Sequence, residues 1–92
     1  MSSKETKNTP VGNIKEDVSN EHFLILYNDD VHTFDYVIEA LVDVCDHEYE
    51  QALQCTYIIH HKGKCDVKKG DFEKLKSMKS ALIDRELNAT IN

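Results

Sequence analysis

Glycine is scarce in this sequence, with three residues, and proline scarcer still, with one. No glycine-rich loop that would cradle a phosphate is present, and no nucleophile motif of the known hydrolase kinds. Long apolar runs are missing too. The longest, Phe23-Leu24-Ile25-Leu26-Tyr27, falls far short of the ~20 residues a membrane helix needs. The N-terminus carries lysines with no apolar stretch behind them, so no secretory signal is expected and the expected compartment is the cytoplasm. Cysteine occurs in an odd number, as Cys45, Cys55 and Cys65, without C-x-x-C spacing. That pattern reads as reduced structural thiols. Cys45 and Cys55 lie near His47, His60 and His61 in sequence, but their spacing matches no standard zinc-ligand pattern, so neither a metal nor a cofactor is expected.

A concentrated positive footprint is also lacking. The net charge is −6: residues 1–20 sum to zero, residues 21–62 hold nine acids and one base, and residues 63–92 hold seven bases and five acids. An acidic central half argues against nucleic acid as a partner. It favours a cationic ligand such as a free amino terminus, although most of these acids are also accounted for as solvated helix surface.

What is present fits one small domain. Ninety-two residues allow a single core and bury only about 60–65% of the surface the unfolded chain exposes. Residues 1–20 contain Pro10 and Gly12 and are rich in Ser, Lys, Asn, Thr and Glu. They are expected to form a flexible arm, with the folded domain over 21–92. Phe23–Tyr27 reads as a buried strand ending in the turn Asn28-Asp29-Asp30. From Thr33, the spacing of Val37, Leu41, Val44 and Cys45 predicts a helix. A second helix is expected over 47–62, capped by Asp46, with Leu53, Thr56, Tyr57 and His60 along one stripe and Gly63 closing it. An edge strand over 64–69 follows. A third helix opens at Gly70-Asp71 with Phe72, Leu75, Met78, Leu82 and Ile83 inward, and a last strand runs over 87–91. This order, β-α-α-β-α-β, predicts an α+β sandwich with three helices on a small antiparallel three-stranded sheet.

Two polar features stand out. Asn28-Asp29-Asp30 sits where a strand gives way to a helix; on local grounds it is a turn, because Asn and Asp bond their own backbone. His60 lies on the inner stripe of the second helix, where a histidine is more often a satisfied core residue than a ligand. Each alone is weak, and both readings stay open on the residues themselves.

Their co-occurrence at fixed spacing resembles the ClpS family, the adaptors of ATP-dependent Clp proteases. The resemblance covers roughly three quarters of the chain, from His22 to Ile91. It is carried by the apolar strand with Asn28-Asp29-Asp30, by Phe34-x-x-Val37-Ile38, and by Ile59-His60-His61-Lys62-Gly63-Lys64. It implies a binding module rather than an enzyme: an adaptor for proteins whose free first residue is large and apolar (Leu, Phe, Tyr or Trp, the bacterial N-degrons), delivered to an unfoldase of the ClpA or ClpC type. It further implies that Asn28 and His60 hold the substrate's α-amino group, with Asp29 and Asp30 completing the cradle. The first side chain would enter a pocket of Phe34, Val37, Thr56, Ile59 and Leu87, and Asp71 and Lys76 would be the nearest matches to unfoldase-binding positions. The arm would help pass substrate onward. Nothing suggests more than a monomer.

The chain departs from the family where Asn-Asp-Asp-x-Thr-Pro-Met is usual, with His32, Thr33 and Phe34 in place of the last three. Thr33 has the better chemistry for the helix cap, and Phe34 puts a stiff ring where a flexible methionine is common. A methionine that narrows the pocket in many members is here Thr56, whose hydroxyl is expected to bond back to the Ala52 carbonyl. These changes predict a reshaped pocket that admits Ile or Val. After Gly63 the chain is about two residues shorter than the family pattern. His22, His32, His47 and His61 are expected to be exposed and without function. Two other classes remain: a generic protein-interaction domain of the same fold with no preference for a free amine, and an enzyme using Asp29, Asp30 and His60 as acid–base groups.

Overall fold

The computed structural model describes residues 21–92; the arm expected over 1–20 lies outside the described residues. The elements are β1 (His22–Tyr27), α1 (Phe34–Cys45), α2 (Tyr49–Lys62), β2 (Lys64–Gly70), α3 (Phe72–Asp84) and β3 (Asn88–Ile91). β1 is the central strand, antiparallel to both neighbours in the order β2-β1-β3. This is the expected fold of three helices and a three-stranded sheet, with β2 at an edge. The continuous apolar run of β1 follows from its central place. Leu24 and Leu26 are fully buried and join the core, while on the opposite face Ile25 is buried and Phe23 is 38% exposed. The core continues through Ile38 and Leu41 of α1, Ile59 of α2, and Leu75 and Leu82 of α3. Each such side chain removed from water stabilises the fold by about 1.5–3 kcal/mol.

The pairing of β1 with β2 shifts between Leu24 and Ile25, whose partners are Lys68 and Asp66, leaving Val67 as the extra residue of a bulge. The Val67 side chain is buried and its carbonyl accepts a bond from His47 Nε2 at 2.6 Å. His47 was expected to be exposed and is instead 4% exposed, with Nδ1 unpaired among the described residues. A bulge carbonyl freed from the ladder needs a donor, and a histidine entering from the turn between α1 and α2 supplies it.

Several helix details differ from the sequence reading. Asp46 does not cap α2; it is the left-handed residue (φ 59) that closes α1, its N–H bonded to the Leu41 carbonyl. Asp tolerates that conformation. α2 begins at Tyr49 with Glu48 before it and no side-chain cap. Its inward stripe is Ala52, Cys55, Thr56 and Ile59, so Leu53 is half-buried and Tyr57 and His60 are exposed. In α1 the buried line is Ile38, Leu41 and Cys45, which leaves Val37 and Val44 half-buried beside it. In α3, Phe72 and Ile83 are exposed rather than inward. Small domains lack the surface to bury every apolar side chain. Thr33 caps α1, accepting from Tyr36 N at 3.1 Å, and Asp71 caps α3, accepting from Lys74 N at 2.8 Å.

Candidate functional site

The site forms where β1 and α2 both end. Gly63 terminates α2 with φ 93, a conformation glycine adopts without the cost a side chain would impose. Its carbonyl then accepts the backbone N–H of Asn28 at 2.9 Å. That one bond fastens the first residue after β1 to the last turn of α2, three residues beyond His60.

The loop that follows is held by Asp29. Its Oδ1 accepts the backbone N–H groups of Val31 and His32, both at 2.8 Å, and its Oδ2 accepts from His32 Nδ1 at 2.9 Å. Partial burial pushes the Asp29 carboxyl up. The His32 backbone N–H, the His32 ring and the Val31 N–H together outweigh it and bring the group below its ordinary value. The carboxylate is therefore ionised at neutral pH and accepts only.

A cavity of about 290 Å³ opens over this loop. Its polar wall comprises Asn28, Asp29, Asp30, His32 and His60. Its remaining lining is Thr33, Phe34, Val37, Thr56 and Ile59. Phe34 meets the edges of Tyr57 and His60, with ring centroids 5.1 and 5.4 Å apart. His60 also packs edge-on against His61 at 5.3 Å, and His61 stacks on Tyr57 at 6.0 Å. The rim ring is thus wedged between two aromatic neighbours. Thr56 is buried and donates to the Ala52 carbonyl at 2.8 Å, as its β-branched hydroxyl was expected to do.

Eight of the nine residues singled out for the amine and side-chain sites line this one cavity. Leu87 does not: it is buried in the core just before β3, where its N–H bonds the Leu82 carbonyl, so it supports the fold and forms no part of the cavity wall. Asp71 and Lys76 are exposed residues at the start of α3 and within it, and neither lines the cavity. His32 was missed. The side chain is only 13% exposed, stacks on Tyr36 with centroids 4.6 Å apart, and belongs to the cavity wall. The signal was the Asp29-x-x-His32 spacing directly before a helix, which invites a side-chain bond across the turn.

Chemically the cavity pairs an acceptor-rich mouth with an apolar interior. Such a shape suits a ligand that carries donors at one end and hydrocarbon at the other. Burial pushes the Cys45 thiol up to about 11 and the Cys65 thiol up to about 12, so both stay protonated at neutral pH.

The family model "ATP-dependent Clp protease adaptor protein ClpS" matches residues 17–90. The chain belongs to the ClpS family. The family consists of adaptors and is not one of known enzymes. ClpS adapter proteins of Campylobacter jejuni strain 81-176 and of its subspecies doylei are each 48% identical to it over 40 residues. These alignments cover 44% of this chain and 42% of each relative, so the chain matches less than half the length of these curated ClpS proteins. A ClpS2 structure from Agrobacterium tumefaciens, bound to L-phenylalaninamide, superposes with a TM-score of 0.73 at 19% identity. The superposition covers 80% of this chain and 96% of that one, and it establishes the shared ClpS fold. Among the described residues, no helix is long and apolar enough to cross a membrane.

Proposed function

We propose that this ClpS-family chain binds proteins by a free, large apolar first residue and delivers them to a Clp unfoldase. The observation that carries the reading is the meeting of Asn28 and His60 in one cavity wall above Val37, Thr56 and Ile59. A terminal ammonium is a donor only, so its site must be built of acceptors. The Asn28 side-chain carbonyl, a neutral nitrogen of His60 and the Asp29 backbone carbonyl supply three, with Asp30 adding negative charge nearby. Hydrogen bonds to a charged group contribute about 1.5–3 kcal/mol each, and burial of a Leu or Phe side chain about 1.5–3 kcal/mol. Two or three such bonds and one side chain, less the cost of association, give affinities near the micromolar range. Neither half suffices alone, which lets a single residue act as the signal. L-Phenylalaninamide, the ligand of the Agrobacterium protein, has this chemistry of a free amine beside an apolar ring. The unfoldase would be of the ClpA or ClpC type, with Asp71 and Lys76 as candidate contacts on the exposed start of α3.

The test compares two peptides that differ only in the amino terminus, one with free Leu and one acetylated. Wild-type protein is expected to bind the first and to lose the second almost entirely, while Asn28→Ala and His60→Ala each weaken the first by about ten- to a hundredfold. Equal binding of the two peptides would instead assign the chain to general protein interaction through the same fold.

A further inference from the structure

We infer that His32, which shares the cavity wall with His60, is a second imidazole acceptor for the bound amino terminus; this rests on the amine-binding reading above. The bonding pattern of the ring leads there. The Asp29 carboxylate has no hydrogen to give, so the 2.9 Å contact requires the proton on His32 Nδ1. In the neutral ring Nε2 is then a bare acceptor, and no protein atom among the described residues bonds it. The ring is fixed on its other sides. Its backbone N–H is bound by Asp29 Oδ1, and its face stacks on Tyr36 at an interplanar angle of 21°. The Tyr36 hydroxyl in turn donates to the Arg85 carbonyl at 2.8 Å, anchoring the stack on the end of α3.

The His32 side chain is 13% exposed and lines the cavity, so its unbonded nitrogen is left for a ligand there. The ligand supplies the donors: three N–H on the ammonium and one on the first peptide group. His60 stands near the end of α2, Asn28 just after β1 and His32 in the loop that follows, and all three line the same cavity. Oriented carboxylate–imidazole pairs of this kind present the second nitrogen with its tautomer already chosen, so no rearrangement is needed on binding.

Two variants separate an acceptor from a prop. His32→Asn keeps a donor positioned for Asp29 but removes the outer nitrogen, whereas His32→Ala removes both. A direct acceptor predicts that both variants lose affinity for a free Leu peptide, by about ten- to a hundredfold. If His32→Asn binds like wild type, His32 only braces the loop and the inference is overturned. A second measurement uses the unaltered protein: long-range proton–nitrogen NMR of the His32 ring. Nε2 is expected to shift on addition of the free Leu peptide, but not of its acetylated form. An unmoved Nε2 resonance at saturation would overturn the assignment while leaving the amine-binding reading intact. Wild-type protein that fails to tell the two peptides apart would refute that reading, and this inference with it.

Discussion

Under the proposed function, the shape of the cavity interior would set which first residues the protein accepts, and Thr56 is the residue to perturb. Its hydroxyl is turned back onto the Ala52 carbonyl, so the helix itself satisfies the polar atom and a short, branched side chain faces Val37 and Phe34. The space left within about 290 Å³ admits branching at the ligand's β-carbon. Ile buries as many carbons as Leu, and Val one fewer. At about 0.8 kcal/mol per methylene, Val should bind only about fourfold more weakly than Leu, and Ile about as well as Leu. Thr56→Met extends a side chain into that space. Overpacking costs about 1–3 kcal/mol where the intruding atoms meet a stiff partner, so Ile and Val peptides should lose about five- to a hundredfold while the more adaptable Leu peptide loses less. Fluorescence anisotropy with four peptides differing only in a first residue of Leu, Phe, Ile or Val reads these ratios directly. A wild-type protein that binds Ile and Val a hundredfold worse than Leu would show the interior to be narrow despite Thr56, and the reasoning from branching would be wrong.

Further expectations concern the elements that hold the site. The Asp29 carboxyl lies below its ordinary value of 3.8 in the folded protein, so its contribution is present above that pH and is lost as pH falls through the lower folded value. The Val31 and His32 amide resonances should therefore titrate together below 3.8, and a midpoint at or above it would contradict the bonding described. His47→Ala removes the donor to the Val67 carbonyl and opens a void in the core, and should destabilise the domain by about 2–4 kcal/mol in urea unfolding. His47→Leu should cost less, because its side chain refills much of the void while losing the same donor to the Val67 carbonyl. Identical costs for the two would mean that the lost donor to the Val67 carbonyl, not the void, sets the penalty.

Much of this arrangement was legible because periodicity and caps are local. The run Phe23–Tyr27 gave the central strand, Thr33 and Asp71 are the side-chain caps of α1 and α3, and Gly63 closes α2. What was misread depended on contacts between distant segments. Asp46 has the chemistry of an N-cap, yet the chain needed a left-handed residue there to leave α1. His47 has nothing in its own sequence neighbourhood to bury it; a bulge twenty residues later does. The family resemblance implies a pocket position for Leu87, whereas the short turn between α3 and β3 draws it into the core. His32 was overlooked because it interrupts a familiar motif, and an interruption reads as a loss until its bonds to Asp29 are seen.

The departures at His32, Phe34 and Thr56 leave the socket intact for a physical reason. The wall that would take the amine is held through backbone N–H groups: that of Asn28 to the Gly63 carbonyl, and those of Val31 and His32 to the Asp29 carboxylate. None of these bonds depends on which side chains follow Asp30. The interior is set instead by side chains from the first turn of α1 and the last two turns of α2, each free to change size without moving the loop. Under the proposed function, recognition of a chain end and choice of first residue would thus be separable. Substitutions at Phe34 or Thr56 should alter the ranking of peptides while every member of the series keeps its dependence on a free amine, whereas loss of the Asn28 or His60 side chain should weaken all of them alike.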